Sequence, residues 1–422
     1  MFVNAALDCP EGKLRSSGRF ETSTHHKGNK YCFNVFVITG QSVNNLLSQE
    51  VSAALGLVQR INDVSSPGES VGLLRTAPVK IKLKADAVPY AITTSRRVSV
   101  PLLSKVKAEL DRMVKCGVIE EIKDPTEWCA PMVPMPRKNG QVRICVGLNR
   151  LNQAVERERY ILPTLDDILP QLSGATMFSL LDAASGYWQI PQEKESAKFT
   201  TFITPFGRYF YHRLPFGISS APEIFQREIN NLLRYHEGTA TYMDDIIIYG
   251  ETPEINDCCL KRVLKTLPEV GLKLDDKCLL RQKQIQFLGH IIDARGVRPD
   301  EKKVEAILNI QPPQNVTEVK RILGMVHYLG RYLPGLAETT CPLNDLLKAD
   351  TVWSHAQEQA LTRVKELMTE APVLSFFDVT KSANASSYGL GGVLFQQHDG
   401  CLRTVAYCLR TLTNTENKIS TV

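Results

Sequence analysis

The sequence predicts an α+β protein of two or three domains, on three observations. Short apolar runs bounded by turn residues, such as residues 178–182 and 246–249, read as strands. Apolar residues at helical spacing recur over 102–114, 259–270, 304–310 and 316–332. At 422 residues the chain can bury a sizeable core and holds two or three units if each takes about 150 residues. Strands followed by helices, rather than strict alternation, point to α+β.

Taken in order, Lys30-Tyr31-Cys32-Phe33-Asn34-Val35-Phe36-Val37-Ile38 alternates like a strand, and residues 51–57 read as a helix. The turn-rich Ser65-Ser66-Pro67-Gly68-Glu69-Ser70 marks a break, so residues 1–70 form a separate unit. Leu102, Leu103, Val106, Leu110, Met113 and Val114 line one helix face, Gly117 caps its end, and a strand over 118–122 follows. A turn at Asn139-Gly140 would bring Lys138 and Arg143 out on a hairpin. The apolar stretch before Asp182 looks like a buried strand, and Ala183, Ala184, Ser185 and Gly186 are small enough for a ligand to approach the backbone. Residues 239–249 read as a second hairpin with Tyr242-Met243-Asp244-Asp245 at its tip. The helix over 259–270 should kink near Pro268, Pro312-Pro313 separates the next two helices, and Pro334 stops the second. Beyond Trp353 a third unit begins. No internal repeat or long low-complexity segment interrupts this order.

The net charge of +5 is modest, but residues 96–159 hold 13 Lys/Arg against 8 Asp/Glu, an excess equal to that of the whole chain. Such a concentration suits a polyanionic partner, and it equally suits a solvated charged face. The 11 cysteines are scattered without a Cys-x-x-Cys pair, which supports neither a zinc site nor a disulfide framework. Residues 1–15 lack the apolar core of a signal peptide, and no stretch approaches the ~20 apolar residues of a membrane span. The expectation is a soluble intracellular protein, cytoplasmic or nuclear.

Adjacent carboxylates at a hairpin tip repel, and Asn-Gly or Asp-Gly would serve the turn better, so a bound cation would remove the conflict. A solvated turn also accommodates such a pair, and the metal reading therefore depends on a third carboxylate. Asp182 stands at the end of its strand, where it either caps the next helix or joins Asp244 and Asp245.

Asp182 in its setting, Leu214-Pro215-Phe216-Gly217-Ile218 and Tyr242-Met243-Asp244-Asp245 follow the order found in reverse transcriptases. With Phe202-Ile203-Thr204-Pro205-Phe206-Gly207-Arg208 and Ser219-Ser220-Ala221-Pro222-Glu223-Ile224-Phe225-Gln226, the chain resembles the polymerase of gypsy-class LTR retrotransposons from about residue 79 to about residue 350. The resemblance implies a right-hand α+β polymerase, with fingers and palm over 76–252 and thumb over 253–340, then a truncated ribonuclease H-like α/β domain over 345–422. Residues 1–70 are similar to the tail of a retroelement aspartic protease, but they lack an Asp-Thr-Gly or Asp-Ser-Gly triplet and read as a remnant.

The implied activity is RNA-directed DNA synthesis from a DNA or RNA primer on an RNA or DNA template, with deoxynucleoside triphosphates as substrates. The implied cofactor is a pair of Mg2+ ions, replaceable by Mn2+. By the same resemblance Asp182, Asp244, Asp245 and the Ala183 carbonyl are metal ligands. Lys138, Arg143, Ala183, Ser185, Gly186, Tyr187 and Phe216 would surround the nucleotide. Tyr187 matches the aromatic gate that excludes a 2′ hydroxyl. Phe287-Leu288-Gly289-His290 resembles the primer grip.

Two positions depart from the family pattern. Gly147 replaces an aspartate and should loosen a fingers strand. Asn384 stands where the ribonuclease H domain has an aspartate, and the chain stops at Val422 before that domain's later acidic residues, so no ribonuclease H activity is expected. These departures leave open a catalytically weak remnant that binds nucleic acid or a partner without synthesis.

Overall fold

In the computed structural model, residues 6–9, 12–26, 29–38, 71–137, 140–348, 353–378, 383–388, 391–398 and 401–409 are described. The chain divides into Met1–Glu69 and Ser70–Val422. In the first unit Ala6–Cys9, Gly12–His26 and Asn29–Ile38 form an antiparallel sheet in chain order, so the alternating run at 30–38 is a strand. The helix expected over 51–57 lies outside the described residues.

In the second unit, helix Val100–Lys115 buries Val106, Leu110 and Met113, and Gly117 just beyond it takes the left-handed φ of 66°. Near it is a five-stranded sheet in the order Ile119–Glu121, Gly207–Tyr211, Phe202–Thr204, Ala130–Pro136, Val142–Val146. Gly147 falls one residue past the last of these strands, where its N–H donates to the Pro131 carbonyl at 2.9 Å. It therefore stands just past the end of the strand and not in its interior.

A four-stranded antiparallel sheet follows, ordered Thr239–Tyr242, Asp245–Gly250, Met177–Asp182, Leu279–Gln282. Ile246, Ile247 and Ile248 are all completely buried, which requires cover on both faces of their strand. Burial of each such side chain contributes about 1.5–3 kcal/mol. One cover is helix Pro253–Val270, whose buried Asn256 donates to the Ile248 carbonyl at 3.0 Å and accepts from Ser179 Oγ at 2.8 Å. This helix starts well before residue 259, because Thr252 caps it with Pro253 in the first turn. Pro268 lies in its last turn, and Gly271 ends it at φ 78°.

Beyond this sheet come a three-stranded meander, Gln284–Phe287, His290–Asp293 and Gly296–Pro299, and helices Glu301–Leu308, Val316–Tyr328, Leu336–Asp345 and His355–Thr369. One hydrophobic cluster runs through them, from Phe178 and Ile247 to Phe287, Ile292, Val326, Tyr332, Val364 and Leu374. Helix His355–Thr369 thus shares its core with the elements before it. The strands Ala383–Tyr388, Gly391–His398 and Cys401–Leu409 make a last antiparallel sheet, with Asn384 paired to Phe395. No helix among the described residues is long and apolar enough to cross a membrane.

Candidate active site

The hairpin Thr239–Tyr242/Asp245–Gly250 pairs Tyr242 with Asp245, leaving Met243 and Asp244 as its loop. Met243 has φ 53°, a left-handed conformation that costs a residue with a Cβ about 1–3 kcal/mol. The neighbouring helix Ala221–Leu233 supplies compensation. Gln226, completely buried on that helix, accepts the Met243 N–H at 2.6 Å and donates its amide to the Thr241 carbonyl at 3.1 Å. Asn230, one turn on, accepts from Gln226 at 2.9 Å and donates to Tyr160 Oη at 2.8 Å.

The middle strand brings the third carboxylate. Asp182 is the direct cross-strand partner of Asp245, and the Ala183 N–H donates to the Asp244 carbonyl at 2.8 Å. Three carboxylates separated by about sixty positions therefore share one end of the sheet. Asp182 caps no helix: the next element is a 3-10 turn, Gly186–Gln189, that begins after Ser185 at φ 52°.

Their electrostatics carry the mark of crowding. Burial, then Asp182 and Asp245, pushes the Asp244 carboxyl up to about 6. Burial and Asp182 push Asp245 up to about 6. Burial also raises Asp182, against the opposing charge of Lys277, whose Nζ stands 4.0 Å from its Oδ2. Asp244 Oδ1 is buried with no hydrogen-bond partner. The side chains nonetheless do not close into a cage, and among the described residues no three His, Cys, Asp or Glu stand together at metal-holding distance. Asp182 leans toward Lys277, while Asp244 turns toward Gly186, where an added Cβ would meet its Oδ1 at 2.2 Å. The chemistry of the set, three carboxylates with raised proton affinity and one orphaned oxygen, would suit a hard divalent cation.

The 182–189 segment is held by Gln189, also completely buried. Its amide donates to the carbonyls of Ala184 at 2.8 Å and Lys273 at 2.9 Å and accepts the Lys273 N–H at 2.8 Å. The Asp275 N–H binds the Asp182 carbonyl at 2.7 Å.

Close to Asp244 lies an aromatic group. Tyr187 packs on Phe216 with centroids 4.9 Å apart and edge-on to Phe225 at 5.6 Å, and burial followed by the Asp244 charge pushes its phenol up to about 12. The Arg143 guanidinium lies 4.9 Å from the Phe216 ring centre, so the strand Val142–Val146 reaches this group. Lys138 and Asn139 lie outside the described residues. Phe216 belongs to a loop fixed by Asn152, which donates to the Gly217 carbonyl at 2.7 Å and accepts the Ser219 N–H at 2.9 Å.

Phe287, Leu288, Gly289 and His290 form the tight turn of the first meander hairpin. Phe287 and His290 are buried, and the Phe287 ring meets Tyr242 edge-on at 6.0 Å. This ring contact ties the turn to the strand that leads into the Met243-Asp244 loop. Gln226, Gln189 and Asn152 were not singled out from the sequence. The available signal was a polar residue inside an apolar run: Gln189 between Trp188 and Ile190, Gln226 after Ile224-Phe225.

Residues 135–292 match the model of the reverse transcriptase (RNA-dependent DNA polymerase) family, and residues 353–422 match that of the RNase H-like domain found in reverse transcriptase. Over 412 residues the chain is 31% identical to the retrovirus-related Pol polyprotein from transposon opus of Drosophila melanogaster, covering 90% of this chain and 41% of that polyprotein. It is 33% identical over 300 residues to the transposon Tf2-3 polyprotein of Schizosaccharomyces pombe, covering 69% of this chain and 22% of that one. The chain thus spans less than half the length of these relatives. A foamy viral protease-reverse transcriptase solved with an RNA/DNA hybrid superposes with TM-score 0.75 at 20% identity, covering 98% of this chain and 61% of that one. The same viral protein with double-stranded DNA gives TM-score 0.76 at 22% identity, covering 88% and 79%. At this identity the likeness shows the fold, a right-hand polymerase with an RNase H-like domain.

Proposed function

We propose that this chain, whose residues 135–292 match the reverse transcriptase family and which is similar to retrovirus-related Pol polyproteins, is an RNA-directed DNA polymerase that extends a primer with deoxynucleotides. One observation carries the reading: the register that sets Asp182 opposite Asp245, with Asp244 bonded through its carbonyl to Ala183. The family is generally dependent on divalent metals. In this chain Asp182, Asp244 and Asp245, with the Ala183 carbonyl, would hold two Mg2+, or Mn2+ in their place. When bound, such a pair stabilises charge on the attacking and leaving oxygens of phosphoryl transfer.

The remaining residues bind and orient. Arg143 supplies a planar fork of donors for triphosphate oxygens, with Lys138 as a second cation. Ser185, Gly186 and Phe216 shape the floor beneath the sugar. Tyr187, packed between Phe216 and Phe225, has little room to yield to a 2′ hydroxyl and so favours deoxynucleotides. The turn Phe287-Leu288-Gly289-His290 holds the primer end. Template and primer would be RNA or DNA, as the RNA/DNA hybrid and double-stranded DNA in the foamy viral structures suggest.

We assign fingers and palm to 76–252, thumb to 253–340 and the RNase H-like domain to 345–422. Residues 1–70 are assigned to a protease-like segment, in which no Asp-Thr-Gly or Asp-Ser-Gly triplet occurs. Asn384 in place of a carboxylate supports the absence of ribonuclease H activity, because an amide brings no negative charge to a two-metal site.

The test is incorporation of dTTP from oligo(dT) on poly(rA) in Mg2+. The reading expects incorporation that Asp244→Asn eliminates while the thermal midpoint holds. Duplex binding that weakens with salt, without incorporation, would select a nucleic-acid-binding remnant instead.

A further inference from the structure

The turn at Leu288-Gly289 takes left-handed φ values of 45° and 69°. Glycine adopts this freely, but leucine does so only where its surroundings over-determine it. Those surroundings come from the helices that follow. Tyr328, the last residue of Val316–Tyr328, donates its Oη to the Leu288 carbonyl, and its ring stacks on His290 at 5.4 Å and 17°. Tyr332, completely buried in the 3-10 turn Gly330–Tyr332, bonds through Oη to His290 Nδ1 at 2.7 Å. Lys303, on Glu301–Leu308, holds its ammonium 4.0 Å from the Tyr328 ring centre, in the place a Cβ on Gly289 would claim. Arg331, between the two tyrosines, pairs with Asp166 at 2.9 Å, which fastens the same stretch to helix Leu165–Ile168. Gln286, on the hairpin itself, donates to Asp300 at 2.5 Å, and Asp300 caps the helix that carries Lys303. The turn is therefore gripped through both its carbonyl and its histidine by hydroxyls from one short stretch of chain.

We infer that Tyr328 and Tyr332 are positioning residues for polymerisation. Their two hydroxyls carry the placement of the thumb helices into the Leu288-Gly289 turn and so set where the primer 3′ end rests. This builds on the polymerase reading above. A purely packing role would need the two rings but not the oxygens, whereas a positioning role needs the oxygens. Phenylalanine separates the two, since it keeps ring and volume and removes only the hydroxyl. Tyr328 is 47% exposed, so Tyr328→Phe leaves the core intact.

The experiment uses the full chain with Tyr328→Phe, Tyr332→Phe and both together. Expected are a kcat for primer extension about tenfold lower in each single variant and lower still in the double. This follows from the rate cost of misplacing a reacting group. Nucleotide KM and duplex Kd should stay within twofold. Amide exchange at Leu288, Gly289 and His290 should quicken about tenfold, while the Thr239–Tyr242/Asp245–Gly250 hairpin keeps its protection. Wild-type kcat in the double variant, or unchanged exchange at the turn, overturns the inference. If the unaltered chain binds duplex but extends nothing, the polymerase reading fails by itself. The positioning claim is then decided by 2-aminopurine at the primer terminus: the double variant must brighten it at unchanged Kd, and no change refutes the claim.

Discussion

Replacing Gly186 by alanine tests whether Asp244 must stand where the structure places it. A Cβ at that position would lie 2.2 Å from Asp244 Oδ1 and 2.7 Å from Phe225 Cζ, whereas ordinary contact begins near 3.4 Å. The carboxylate or the turn must therefore yield by about 1 Å. Phe225 is completely buried and cannot take up the strain cheaply. Overpacking of this kind costs about 1–3 kcal/mol of stability. A displacement of about 1 Å in a catalytic group costs on the order of 100-fold in rate. Gly186→Ala should thus lower kcat for primer extension about 100-fold, with a urea midpoint shifted by no more than the overpacking cost. Duplex binding should be preserved, because the substitution touches no residue assigned to the primer or template. Extension at the wild-type rate by a folded Gly186→Ala chain would refute the link between Asp244 placement and rate.

Other perturbations follow from the same geometry. Gln226→Leu leaves the Met243 N–H without its acceptor, which should cost about 1–3 kcal/mol and more than tenfold in extension rate; an unchanged rate would show that the loop holds itself. Tyr187→Val should open the sugar site, raising ribonucleotide incorporation relative to deoxynucleotide by tenfold or more, read from paired kcat/KM values. Burial, reinforced by Arg331 and Lys303, lowers His290 from its ordinary 6.5 to about 4. The unfolded chain therefore binds a proton that the folded chain refuses between those values, and stability is lost as pH falls through that window. The loss reaches about 3 kcal/mol near pH 4. His290→Asn, compared with the wild type by urea unfolding at pH 4.5 and 7.5, should show a correspondingly smaller fall, and equal falls would contradict the assignment.

The sequence exposed some of this arrangement and concealed the rest for physical reasons. Strand ends were legible because apolar runs stop abruptly at Asp182 and resume after Asp245, and motif order suggested that the two strands meet. Turns and caps are legible where special backbone angles favour glycine, as at Gly117 and Gly140, with φ of 66° and 79°. Hydrophobic periodicity reports which face is buried, not which distant residue it meets. The bond from Gln226 to Met243 and that from Tyr328 to Leu288 therefore left no local trace. The early start of helix Pro253–Val270 was missed because residues 252–255 are exposed and break the apolar pattern, although Thr252-Pro253 is itself a start signal. The position of Gly147 just past its strand leaves no local signal, because a strand's last paired residue is decided by its neighbours, and here the Pro131 carbonyl takes its N–H.

That Asp182, at a strand end, and Asp244, in the adjoining hairpin loop, jointly hold divalent cations is open to direct test. Electron paramagnetic resonance of Mn2+ titrated into the chain with primer, template and an unreactive nucleotide tests it most directly. The account predicts a spin-coupled pair of ions in the wild type that is lost in Asp182→Asn and in Asp244→Asn, both variants still folded. A coupled pair that survives loss of either carboxylate at wild-type affinity would contradict it.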